Sequence, residues 1–223
     1  MSLMNDIFGP SRVDTILPEA SGAEKKVLNV GGGSKATAIP SYFDGGQHHL
    51  LDIDPRGEPD IVCDARQLQD LPGGTYDAVY CSHNLEHYYR HDGIKVLSGF
   101  LHMLSTNGFA EIRVPDISQV ITLIHEQKMD LDDVIYTSPA GPISAHDVIY
   151  GLQTEIERSG KDFYAHKTGF TRTSLSNMLL DGGFRKVFVT SEPYLAVHAL
   201  AFKDEPTSEQ RVLLGGAWNM SLV

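Results

Sequence analysis

Cysteine is scarce. Cys63 and Cys81 are the only two in 223 residues, and both sit in short apolar runs. No disulfide framework is available to hold the fold, which suits a reducing, cytoplasmic setting. Apolar stretches long enough to span a membrane are lacking. The first residues have neither the basic start nor the apolar run of a secretory signal. Basic residues are few, 18 Lys and Arg against 29 Asp and Glu, for a net charge of -11. They are scattered rather than clustered, so nucleic acid is not an expected partner. No His, Cys or acid spacing matches a zinc site, and adjacent His48 and His49 would point to opposite faces of a strand, so no metal is expected. Internal repeats and low-complexity tracts are absent, and nothing legible encodes an oligomeric state.

What is present is ordinary globular material, 41% hydrophobic and 21% charged, enough for one domain over residues 1–223 to bury a core unaided. Residues 1–24, polar and broken by Pro10 and Pro18, read as an arm over the surface. Short apolar runs then follow at Val27–Val30, His49–Ile53, Asp60–Cys63, Tyr76–Cys81 and Phe109–Val114. Before the last of these, Gly93–Leu104 has helical spacing, with Ile94, Leu97, Leu101 and Leu104 on one face and Asn107-Gly108 as the stop. Such alternation predicts a parallel sheet covered on both faces, an α/β doubly wound fold. Residues 116–167 break the rhythm. Ile117–Glu126 and Asp147–Arg158 read as helical, with a Pro/Gly/Ser stretch at Ser138–Ser144, as an insertion over the sheet's ligand edge. Thr173–Leu180 is a further helix, capped by Thr171 or Thr173 and stopped at Gly182-Gly183. Lys186–Thr190 and Leu195–Phe202 then form an antiparallel pair joined through Glu192-Pro193. The last twenty residues are weakly patterned.

The first run ends in Gly31-Gly32-Gly33. Consecutive glycines permit positive-φ backbone and close approach by a ligand, and a helix after them would add free N–H groups. About twenty residues on, Asp52 and Asp54 close the second run, where an acid reaches ribose hydroxyls. Either acid suits: Asp52 stands at the strand end, and Asp54 starts the turn at Pro55. Asp64 has two readings, an acceptor for an adenine amino group beside the small Ala65, or a helix N-cap before Arg66–Leu68.

In this order and spacing, Val27–Ser34, Leu51–Pro55, Asp60–Ala65, Tyr76–Tyr88 with its Ser82-His83-Asn84-Leu85-Glu86-His87 segment, Gly108–Pro115 and Gly182-Gly183-Phe184 resemble a class I S-adenosylmethionine-dependent methyltransferase of the type 11, small-molecule kind. The likeness covers residues 25–115 and 165–203. It implies a mostly parallel seven-stranded sheet with a helical insertion after the fifth strand. It also implies S-adenosylmethionine as cofactor and a small-molecule acceptor. By resemblance, Gly31 to Gly33 approach the methionine part, Asp52 holds the ribose, Asp64 and Ala65 hold adenine, and Ser82 and His83 border the methyl-transfer site. The family usually has an acid where Asn29 stands and a third spaced glycine where Lys35 stands, so Asn29 faces the cofactor without its charge.

A sulfonium methyl is already electrophilic, so such a site needs alignment, water exclusion and at times a base. His83 and His166 are the candidate bases, while His87 reads as a helix start. Arg113, at the end of the fifth run, can bind an acidic acceptor group or pair with Asp116. In the insertion, Tyr136, Tyr150 and Tyr164 can line an acceptor pocket or belong to the insertion's core, and His146 can contact the acceptor or lie on a surface loop. The same glycine turn and acid would also serve a dinucleotide oxidoreductase, and the substituted Asn29 and Lys35 positions also suit a non-catalytic binding module.

Overall fold

The protein, seen in a computed structural model, is described over residues 24–138, 140–192, 194–218 and 222. Apart from Glu24, the expected arm lies outside the described residues, as do Pro139 and Pro193. The chain opens with β1 (Lys26–Val30) and β2 (Gln47–Asp52), then β3 (Ile61–Val62) and β4 (Tyr76–Ser82). Helix α1 (Arg90–Met103) leads straight into β5 (Leu104–Pro115). The next stretch holds α2 (Ile117–Gln127), a hairpin of β6 (Val134–Ser138) and β7 (Gly141–Ser144), and the short α3 (Ala145–Tyr150) and α4 (Gln153–Ser159). Helix α5 (Arg172–Asp181), β8 (Lys186–Glu192), β9 (Ala196–Phe202) and α6 (Ser208–Ala217) complete it.

Seven strands form one sheet in the order β3-β2-β1-β4-β5-β9-β8. The pairs among β1 to β5 are parallel, and β9 runs antiparallel to both neighbours. This is the expected seven-stranded, mostly parallel sheet. Its central strands are apolar without alternation because both faces are covered: Ala78, Val79, Tyr80 and Cys81 of β4 are all buried. One face packs on α1, α5 and a 3-10 turn at Ala65–Asp70. Leu214 of α6 and the 3-10 turn at Ser41–Phe43 cover the other.

Several boundaries differ from the sequence reading, each for a physical reason. The buried face of α1 runs through Gly93, Val96, Leu97, Phe100 and Met103; Ile94 and Leu101 pack at its edge, and the buried Leu104 belongs to β5. Glycines let neighbours in: a Cβ on Gly93 would stand 2.3 Å from the Met178 methyl, and one on Gly99 2.7 Å from Leu68 Cβ. Asn107-Gly108 does not stop the helix, which ends four residues earlier at Met103. It lies instead in a bulge of β5, with Asn107 at φ 62°. No helix follows the glycine turn, since Pro40 and Gly45-Gly46 leave room only for the 3-10 turn. The Pro/Gly/Ser stretch is the β6-β7 hairpin, the 147–158 stretch splits at Gly151, and the weakly patterned tail holds α6. Thr171 caps α5 in a reciprocal capping box with Ser174.

A buried polar network ties β5, β8 and β9 together. His198 sits between two carboxylates, with Nε2 2.8 Å from Glu111 and Nδ1 3.0 Å from Glu192. Arg113 pairs with Glu192, the Tyr42 hydroxyl donates to Glu111, and Trp218 lies over the imidazole. Burial alone would lower the His198 pKa, but the two carboxylates outweigh it and raise the value. Burial likewise pushes Glu192 up, yet His198 and Arg113 bring it down to about 2. The signs fix a window. The Glu192 contribution is present above its unfolded value of 4.5 and is lost as pH falls towards about 2. That of His198 is full below 6.5 and is lost as pH rises through its raised folded value. His198→Ala takes the imidazole from two carboxylates, leaving Glu192 with Arg113 and Glu111 with Tyr42, and should destabilise the protein by about 1–3 kcal/mol near pH 6. Urea unfolding should show that gap shrinking in alkali; a gap independent of pH would remove the charged imidazole from the network.

Candidate functional site

A cleft of about 1040 Å³ opens at the carboxyl ends of β1, β2 and β4, where the strand order reverses direction about β1. Open α/β sheets bind ligands at such switch points. The glycine turn forms its floor. Gly31 and Gly33 have φ of 73° and 69°, and Gly31 N–H donates to the Leu51 carbonyl at 2.8 Å. The three glycines answer three different demands. A Cβ on Gly31 would strike the Asn84 amide at 2.1 Å, and one on Gly32 the Asn29 amide at 2.2 Å. One on Gly33 would meet nothing within 4 Å, so that backbone faces open cleft.

Asp52 clasps the turn. It is 9% exposed and accepts from Gly33 N–H at 3.0 Å and from Asp54 N–H at 2.9 Å. Gly57 closes the same corner, where a Cβ would lie 1.7 Å from the Gly33 carbonyl oxygen. Lys35, in place of a glycine, reaches Asp60 at 2.5 Å and braces the turn from outside. Asn29 is buried behind it.

Gly31, Gly33, Asp52, Asp54, Asp64 and His83 line the cleft together; Asn29, Gly32, Ala65 and Ser82 stand beside it, off its wall. Asp64 is the N-cap of the 3-10 turn, accepting from Arg66 N–H at 2.9 Å, and the Arg66 guanidinium clamps its carboxylate. Burial would raise its pKa, but Arg66 brings it below the usual range. Asp54 is held by Arg56 and by the Tyr164 hydroxyl at 2.6 Å, and its pKa falls far below normal, chiefly through Arg56. Burial and Asp54 push Tyr164 up to about 12. With Arg56 also 3.3 Å from Glu155, this cluster fastens the α4 side of the cleft to the loop after β2.

The histidines divide. His83 stands on the wall with φ 51°, a left-handed backbone unusual for a non-glycine residue. His166 packs against His87, ring centroids 4.9 Å apart, behind the wall. Burial lowers the His166 pKa, which leaves the imidazole neutral near pH 7. Glu86 lies between them, 1% exposed.

Three expected acceptor contacts stand off the wall. Arg113 is committed to Glu192 rather than to the cleft or to Asp116, because its strand edge faces β9. Tyr136 packs into the insertion's own core with Val120, Ile143, Ala145 and Val148. His146 packs on Tyr150, 4.9 Å between centroids. Arg56, Gly57 and Asn84 were not singled out from sequence, whereas Tyr164, read there as a pocket or insertion-core residue, does line the cleft. Only the Asp54-Pro55-Arg56-Gly57 turn signal hinted at the first two; Asn84 and Tyr164 reach the site through tertiary folding.

No protein-family model matches this chain, and no curated protein matches it. Solved structures do share its fold. A SAM dependent methyltransferase from Archaeoglobus fulgidus is 17% identical over 81% of this chain and 86% of that one, with a TM-score of 0.50. The PH0226 protein from Pyrococcus horikoshii OT3 is 14% identical over 82% and 84%, with a TM-score of 0.54. Human N-acetylserotonin methyltransferase, solved in complex with SAM, is 17% identical over 82% of this chain but 48% of its own, with a TM-score of 0.50. The fold is thus that of Rossmann-like, class I methyltransferases. Among the described residues, no helix is long and apolar enough to cross a membrane.

The Gly57 contact yields a test. Gly57→Ala forces the Gly33 carbonyl aside and should cost about 1–3 kcal/mol by overpacking. Gly45→Ala also departs from glycine, but has open space, and bears only the strain of its positive φ. Denaturant midpoints should rank Gly57→Ala as the more damaging; the reverse order would mean that the corner yields freely.

Proposed function

We propose that the chain is an S-adenosylmethionine-dependent methyltransferase acting on a small-molecule acceptor. One observation carries the reading: a positive-φ glycine with open space above it and a mostly buried carboxylate meet on one wall of a cleft at the sheet's switch point. The residues fit an adenosyl sulfonium. Both Asp52 oxygens accept a single backbone bond, so each keeps a lone pair for a sugar hydroxyl. The cleft, about 1040 Å³, stands at the top of the size range of ligand pockets, which suits an acceptor beside the cofactor. Asp54 and Asp64 are paired with Arg56 and Arg66, so Asp52 is the one of the three carboxylates left without a cationic partner among the described residues to face the ligand.

When bound, the cofactor supplies an electrophilic methyl group. The protein's part is positioning, a contribution of up to about 7–11 kcal/mol in well-oriented systems. Asp52 holds the sugar and the glycine turn backs the amino-acid end, with Asn29 bracing that turn from behind. Asp64 and Ala65 flank the base, with Arg66 sharing the carboxylate. His83, on the wall after β4, is the group best placed to take a proton from an acceptor. Residues 116–167 form the cover over the acceptor end, fastened through Tyr164 and Arg56. Two free cysteines and a net charge of -11 favour a cytoplasmic role away from nucleic acid.

Calorimetry with S-adenosylhomocysteine should show one site, and Asp52→Ala should weaken it at least about tenfold, the scale of a lost hydrogen bond to a charged group. Binding of NAD with no binding of the adenosyl ligand would overturn the reading in favour of an oxidoreductase; a folded protein that binds neither would favour a non-catalytic module. Tyr164→Phe removes the hydroxyl that joins Asp54 to the cover. Amide exchange across α4 should quicken and acceptor KM should rise while cofactor affinity holds. Unchanged exchange would deny the fastening role.

A further inference from the structure

Glu86 presents a problem that the cleft alone does not solve. Its carboxylate is buried, 1% exposed, and neither oxygen has a hydrogen-bond partner among the described residues. An uncompensated carboxylate in such a place is costly, and proteins relieve it by pairing or by metal coordination. Around Glu86 stand three imidazoles. His87 and His166 each offer one ligand atom that, with one from Glu86, lies within 4.8 Å of the others. His83 Nδ1 is 3.5 Å from Glu86 Oε1 on the cleft side.

The two inner imidazoles are already oriented. His87 Nδ1 is 3.2 Å from the Ala165 carbonyl, and His166 Nδ1 is 2.9 Å from the Val148 carbonyl. A carbonyl accepts only, so each Nδ1 carries the proton and each Nε2 keeps its lone pair. Metal-binding histidines are usually held by such outer bonds. The backbone is tied as well. Glu86 O accepts from Lys167 and Thr168 N–H, and His166 N–H donates to Tyr150 O, so the segment carrying His166 is stitched to the turn carrying Glu86 and His87.

From this geometry we propose that Glu86, His87 and His166 bind a divalent first-row transition ion, with His83 on the cleft side. Imidazole and carboxylate donors favour zinc, manganese, iron or cobalt over magnesium. Three protein ligands with a side left open describe a site that takes a further ligand, rather than a closed structural one. His83 and His87 line the cleft, so the open side faces the acceptor end. Resting on the methyl-transfer reading, this assigns the acceptor a class: an alcohol or phenol whose oxygen binds the metal and is thereby acidified.

Cobalt(II) is a suitable probe because its visible bands report coordination. Chelator-stripped wild-type protein titrated with Co²⁺ should develop bands saturating at one ion per chain, and catechol should shift them. Glu86→Gln and His166→Gln should each weaken Co²⁺ at least about a hundredfold, beyond the range typical of outer-shell partners. Glu86→Gln should also leave the metal-free thermal midpoint unchanged or raised, since it removes a buried unpaired charge; a purely structural Glu86 would lower it. Absence of the bands, Co²⁺ binding retained by both variants, or a lowered metal-free midpoint in Glu86→Gln overturns the site. Bands that catechol leaves unchanged overturn its open position. Calorimetry of the stripped protein with S-adenosylhomocysteine is read separately. Failure there removes the methyl-transfer reading and the acceptor class while leaving the metal result standing.

Discussion

The Asp52 carboxylate is the clasp on which the cleft depends. It receives a backbone N–H from the glycine turn after β1 and another from the loop after β2. Two adjacent parallel strands thereby end at one fixed point rather than in two independent loops. Gly57 tightens the same corner from the far side, its missing side chain letting the two backbones meet. The cost of holding a carboxylate at 9% exposure is offset by these charge-assisted bonds. Each oxygen accepts one backbone bond and keeps a lone pair, the feature on which the proposed sugar contact rests.

A second carboxylate plays the opposite part. Glu86 is more deeply buried than Asp52 yet has no donor of its own. Two of its neighbours, His87 and His166, have Nδ1 engaged by backbone carbonyls, and the third, His83, stands 3.5 Å away through Nδ1. Asp52 thus stands at the glycine-turn end of the cleft, and Glu86 stands behind its His83 and His87 wall. The Arg56, Asp54 and Tyr164 cluster ties the α4 side to the loop after β2 through partly exposed charges, which salt can loosen at modest cost.

The sheet was legible because its signal is local. Runs such as Val27–Val30 and Tyr76–Cys81 are apolar without alternation, a pattern that only a strand covered on both faces requires. Asp52 and the glycines were legible for a related reason: a strand end followed by a tight turn places them at the sheet's edge whatever the rest does. The acceptor side was not. Arg113 stands at a strand end, as expected, but the neighbouring antiparallel strands supplied Glu192 as its partner. Tyr136 and His146 lie in the insertion, yet the insertion folded a small core of its own and took them into it. The hairpin at Val134–Ser144 and helix α6 escaped notice because short, half-exposed elements carry little periodicity.

Sequence alone determined the α/β class, the mostly parallel seven-stranded sheet implied by family resemblance, and the glycine–acid spacing, since each depends on residues near one another along a strand or its turn. Tertiary structure alone decided what gathers at the acceptor end. Glu86 and His166 are separated by most of α1, β5 and the insertion, and no spacing rule links them. They meet because backbone bonds from Lys167 and Thr168 to the Glu86 carbonyl draw the end of the insertion down onto the turn after β4, a contact that exists only once the sheet has formed.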